Sequence, residues 1–141
     1  MSRVRRLLLV SPALRLAGST ALAGRLAAGG IFLGFSIGKF TRHAAEAAAL
    51  DRYGLPFPGA FTYAVGAVEL AGGAALVLGL GTRIAALALA CDMAGAIATA
   101  GRVEGGPVHL VIAPALLVTM LLLLWIGPGS RSLDRRLLAS R

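Results

Sequence analysis

Apolar residues fall into four long runs separated by short polar stretches, and the run lengths match membrane crossings. The clearest run, Phe61 to Leu80 (FTYAVGAVELAGGAALVLGL), holds twenty residues and a single formal charge, Glu69. Twenty helical residues rise about 30 Å, the thickness of a bilayer's hydrocarbon core. A second run, Ile84 to about Ala100, carries Asp92, and a third, Val108 to Ile126, carries no formal charge. The first run in chain order, about Ala21 to Phe40, has Arg25 and Lys39 near its ends and an uncharged centre, Leu26 to Gly38, of thirteen residues. It crosses if both cations snorkel towards the headgroups. The pattern predicts an all-α fold: an integral membrane bundle of four transmembrane helices, spanning about 21–40, 61–80, 84–100 and 108–126.

The connections are polar and short. Met1 to Thr20 carries Arg3, Arg5, Arg6 and Arg15 around LLLV, and Pro12 and Arg15 interrupt its apolar core. A basic segment lying on the membrane surface is expected there rather than a signal peptide. RHAAEAAALDRY after the first span favours a short helix ended at Gly54, followed by extended backbone through LPFP. GLGTR between the second and third spans fits only a tight turn. Pro114 is expected to bend the fourth span. The tail from Pro128 to Arg141 is expected to leave the membrane as a basic cytoplasmic segment.

Composition agrees with this picture. The chain is 57% hydrophobic and 14% charged, with a mean hydropathy of +0.82. The net charge of +8 lies mostly in the termini, where anionic lipid and topology control account for it. Aromatic residues, 6% of the chain, are too few to interleave with the basic ones, so nucleic acid is excluded as a partner. Ten of the fourteen basic residues lie on the side of the termini, and four (Lys39, Arg42, Arg52 and Arg102) lie on the other. The positive-inside rule then puts both termini in the cytoplasm. One cysteine, Cys91, excludes an internal disulfide and a CxxC redox pair; inside an apolar run it is expected to be a small buried hydrophobe.

Three ionisable groups lie within or at the edge of the apolar layer: Lys39, Glu69 and Asp92. A carboxylate near mid-span costs roughly 2.5–3.5 kcal/mol on insertion scales, so it is expected to face protein or a water-filled cavity. Glu69 shares a helix face with Gly66 and Gly73, and Asp92 shares one with Ala85, Ala88, Gly95 and Thr99. Side chains lean towards their own helix N-terminus, which brings Lys39 and Glu69 together in the outer half. The same rule tilts Asp92 away, leaving Thr119 or a water as its expected partner. If the two acids approach each other, at least one is expected to be protonated. The pair serves either as a pocket or proton site or simply to fix helix register. His43 and His109 are the weak candidates for metal or haem ligands, with no HxxxH or HxxE spacing behind them. Gly30, Gly34 and Gly38 form two consecutive GxxxG steps, a strip for helix packing or a contact between copies.

Taken together, GRLAAGGIFLGFSIGKF, YGLPFP, VGAVELAGGAALVLGLGTRIAALALA and GPGSRSLDRRL resemble the DoxX family of small four-helix bacterial membrane proteins, in the family's order and spacing. Glu69, Gly72, Gly73, Leu78, Gly79 and Arg83 are the most specific part. The resemblance covers about Gly24 to Leu137. It implies a plasma-membrane bundle linked to redox metabolism. Relatives include the small membrane subunit of thiosulfate:quinone oxidoreductase, and others accompany superoxide dismutase and a sulfurtransferase. The matching positions are Lys39, Glu69 and the Gly72/Gly73 pair. The implied role is a non-catalytic accessory or anchoring subunit with protein partners, offering a quinone pocket near Lys39 and Glu69, with Glu69 or Asp92 handling a proton. The alternatives are a small proton-coupled transporter and a purely structural scaffold.

Overall fold

The computed structural model describes residues 17–139. The expected basic surface segment therefore lies outside the described residues, apart from its last four positions, which open the first helix. The elements are α1 (Ala17–Thr41), α2 (His43–Arg52), α3 (Pro58–Leu78), α4 (Thr82–Ala98) and α5 (Ala100–Val103). A π-helical turn (Val108–Ile112) then runs into α6 (Ala113–Ile126), and α7 (Leu133–Ala139) follows. Four helical stretches are long and apolar enough to cross a membrane: Gly18–Thr41, Pro58–Leu78, Thr82–Val103 and Val108–Ile126.

The spans form a ring in chain order. α1 packs most extensively on α3 and α4 on α6, while α3–α4 and α1–α6 close the two remaining sides. Neighbours are antiparallel: Gly29 abuts Gly73 while Lys39 abuts Gly66. Phe32, Leu76, Leu89 and Met120, all fully buried, fill the half of the bundle nearer the α3–α4 turn. Because lipid tails are as apolar as these side chains, close packing rather than water exclusion holds such helices together. The closest approach is at Gly29 and Gly73. A Cβ on Gly29 would lie 2.8 Å from the Gly73 carbonyl oxygen, and one on Gly73 would lie 3.0 Å from that of Gly29. The expected strip is thus offset by one residue. Gly30 and Gly34 are exposed with nothing within 4 Å of a Cβ, so among the described residues they pack against nothing.

The α3–α4 turn corrects one expectation, for Arg25 does not snorkel to the headgroups, and it adds to another, for the tail after the fourth span is tied to the end of the bundle. Arg25 is 1% exposed. Its Nε donates to the Leu76 carbonyl at 2.9 Å, and Nη1 donates to Pro128 O at 2.5 Å. Nη1 and Nη2 each lie 3.3 Å from Arg131 O. The tail folds back under the bundle, and Asp134 in α7 accepts from the Gly81 and Thr82 amides at 2.8 and 3.1 Å, capping α4 from outside. The Asp134 amide donates to Gly79 O at 3.0 Å. Gly79, at φ +68°, ends α3 with paired bonds from Gly79 N to Leu76 O and Leu80 N to Ala75 O. Guanidinium and carboxylate together satisfy helix-end groups that lipid could not.

The backbone before one proline departs from expectation, and a second proline sits at a change of helix type. The backbone before Pro58 is not extended: Phe57 is left-handed at φ +51° and 82% exposed, a strained position that turns its ring outward at the start of α3. Pro114 is the second residue of α6, directly after the widened turn, so its missing N–H falls where the wide turn reverts to α-helix.

Candidate functional site

In the half of the bundle away from the α3–α4 turn, Lys39 and Glu69 meet as the side-chain lean predicts. Lys39 Nζ lies 3.0 Å from Glu69 Oε1 and 2.8 Å from Oε2. The carboxylate side chain is 2% exposed and the ammonium side chain 15%. Neither charge is affordable alone at membrane depth; each neutralises the other.

Asp92 joins them, which corrects its expected partnership with Thr119. The short α3–α4 turn fixes the register so that Gly72 meets Leu89. Three residues further from the turn on each helix, Glu69 and Asp92 then stand level. Asp92 is within electrostatic reach of both Lys39 and Glu69. Among the described residues, its Oδ2 is buried without a hydrogen-bond partner. Thr119 instead donates to Ala115 O on its own helix at 2.8 Å, and its methyl faces Gly24.

The three groups line a chamber with two lobes. One, of about 490 Å³, reaches the polar rim formed by Arg42, Arg52 and Glu104. The other, of about 230 Å³, lies between α3 and α4 and takes in Phe61, Val65, Cys91, Asp92 and Gly95. Both share Lys39, Glu69, Tyr53 and His109. The cover is α2, whose Glu46, Ala49, Leu50 and Tyr53 share one face by the i, i+3, i+4, i+7 rule. That spacing is legible in RHAAEAAALDRY.

The cover is tied down at its far end. Arg52 Nη2 donates to Glu104 Oε1 at 2.8 Å, linking α2 to the residue after α5. Hydrogen bonds from Arg52 and Tyr53 hold the Glu104 carboxyl below its ordinary range. Burial, then the bond to Glu104, pushes the Tyr53 hydroxyl up to about 12.

Of the remaining candidates, Gly72, Gly73 and His43 fall elsewhere, while His109 lines the chamber. Gly72 and Gly73 are packing positions: a Cβ on Gly72 would lie 2.9 Å from Leu89 Cγ. His43 stacks on Tyr63 at 3.8 Å between ring centroids, whereas His109 Nδ1 lies 3.2 Å from Gly105 O on the chamber wall. Among the described residues no group of three or more His, Cys, Asp or Glu is arranged to hold a metal ion. Cys91 is exposed rather than buried.

The sequence profile of the DoxX family matches residues 20–102, a stretch that contains Lys39, Glu69 and Asp92. The chain belongs to the DoxX family. This DoxX protein is an integral membrane protein, and it is 37% identical over 127 residues to the uncharacterized membrane protein Rv3486 of Mycobacterium tuberculosis, covering 80% of this chain and 78% of that one. No solved structure matches it.

Proposed function

We propose that this DoxX protein is a plasma-membrane accessory subunit of a redox assembly, with both termini in the cytoplasm, and that its chamber holds the headgroup of a quinone. The observation that carries the reading is the buried Lys39–Glu69 pair with the unpartnered Asp92 Oδ2 beside it. Lys39 supplies hydrogen-bond donors for a carbonyl oxygen, and Glu69 and Asp92 supply acceptors for a hydroxyl. A quinone would bring two-electron chemistry that no side chain here offers, since Cys91 has no second thiol. Orienting the ring and exchanging a proton with Glu69 or Asp92 are the chain's own contributions.

Two further features support the reading. Phe32, Leu76, Leu89 and Met120 fill the bundle on the other side of the pair, which suits a blind chamber better than a transport path. The ten-to-four division of basic residues supports cytoplasmic termini.

Isolation of the tagged protein in mild detergent, with mass spectrometry of everything retained, tests the proposal. A stoichiometric oxidoreductase together with a quinone is the expected result. A lone bundle carrying only phospholipid would contradict it and favour a scaffold.

A further inference from the structure

The smaller lobe of the chamber is bounded on one side by residues exposed on the outside of the bundle. Phe61 on α3 and Cys91 and Gly95 on α4 line it and are themselves exposed. All three lie within spans, so the outside they face is acyl chain rather than water. Gly95 borders open space: among the described residues a Cβ there would meet nothing within 4 Å, so close packing does not account for its small size. Nearer the turn, the same seam is shut, with Leu89 pressed against Gly72. α3 and α4 also pack less extensively than α1 on α3 or α4 on α6. Glu69 and Asp92 stand at the inner end of this lobe.

The other lobe also reaches a different medium. Arg42, Arg52 and Glu104, all exposed and outside the spans, line one part of it, where a lipophilic molecule would have to cross charges, while Gly34 and Val108, exposed within spans, line another. The two lobes meet at the Lys39–Glu69 pair.

We infer that the chamber is loaded sideways from the bilayer, a lipophilic quinone-class ligand passing between α3 and α4 at Cys91 and Gly95, while the charged lobe admits water and protons. This rests on the quinone reading above and adds the route to it. It makes Gly95 a gate position although it touches no charged group.

The test uses the full chain in lipid nanodiscs loaded with radiolabelled decylubiquinone, mixed with excess empty vesicles, with the half-time of quinone loss as the readout. Gly95→Trp should lengthen that half-time, and the half-time of loading, at least tenfold. A benzylmaleimide adduct on Cys91, formed after folding, should do the same and decides the matter if Gly95→Trp does not fold. Val118→Trp, on an exposed position of α6, should leave the half-time unchanged. Unaltered half-times in the blocked forms would overturn the lateral route and leave the quinone reading intact. A wild-type protein that retains no quinone would overturn the quinone reading and the route with it.

Discussion

Arg25 and Asp134 grip opposite halves of one turn: the guanidinium takes the carbonyl of Leu76 at the end of α3, and the carboxylate takes the amides of Gly81 and Thr82 at the start of α4. The tail that carries Asp134 is itself held by Arg25 through Pro128 and Arg131. The turn, the tail and the first span are therefore one unit, and that unit fixes the α3–α4 register that sets Glu69 level with Asp92.

Removing either residue should weaken the other's contribution. Arg25→Ala leaves the Leu76, Pro128 and Arg131 carbonyls without their donor and should cost about 3–5 kcal/mol, at about 1–3 kcal/mol for each buried acceptor left unsatisfied. Asp134→Ala should cost about 1–2 kcal/mol, the range for a lost helix cap. The double variant should fall short of the sum by about 1 kcal/mol or more. Unfolding in mixed micelles measures all three, and strict additivity would show that the two residues act independently.

Glycine positions should separate into two sets. Gly73→Ala forces a methyl against the Gly29 backbone and should destabilise by about 1–3 kcal/mol, as overpacking does. Gly30→Ala and Gly34→Ala meet open space and should leave monomer stability within about 0.5 kcal/mol. If these two glycines contact a second copy, the same variants should shift the oligomeric state in cross-linking. Equal destabilisation across all three sites would contradict the observed register.

Legibility followed the distance over which the deciding contact acts. Lys39 and Glu69 could be paired from sequence because side-chain lean is a local rule, and the structure joins them at 2.8 Å. Asp92 could not be assigned by lean alone, since its neighbours depend on the register across a turn. Arg25 resembled a snorkelling cation because its acceptor Pro128 lies 103 residues further along the chain. The span pattern was plain because bilayer thickness constrains it directly.

The α2 cover should respond to pH through Glu104. Its folded-state pKa is depressed, so its contribution is present above the usual glutamate value and is lost as pH falls through the lowered one. Tyr53 works in the opposite sense: raised to about 12, it contributes below its usual value of about 10 and is lost as pH rises through the folded value. Amide exchange over His43–Arg52, corrected for intrinsic rate, should be slowest between these limits. Glu104→Gln should speed it at neutral pH. A profile flat through the acid limb and unchanged by Glu104→Gln would show that the rim bond does not hold the cover.

Quinone affinity in nanodiscs at neutral pH, compared between wild type and the Lys39→Met/Glu69→Gln double variant, bears most directly on the chamber's role. The double variant removes both charges together, so neither partner of the pair is left buried and unpaired. One saturable decylubiquinone site per chain in wild type, weakened at least tenfold in the folded double variant and unchanged in Thr119→Val, is the expected result. No saturable binding, or equal affinity in all three proteins, would contradict a quinone site built on Lys39 and Glu69.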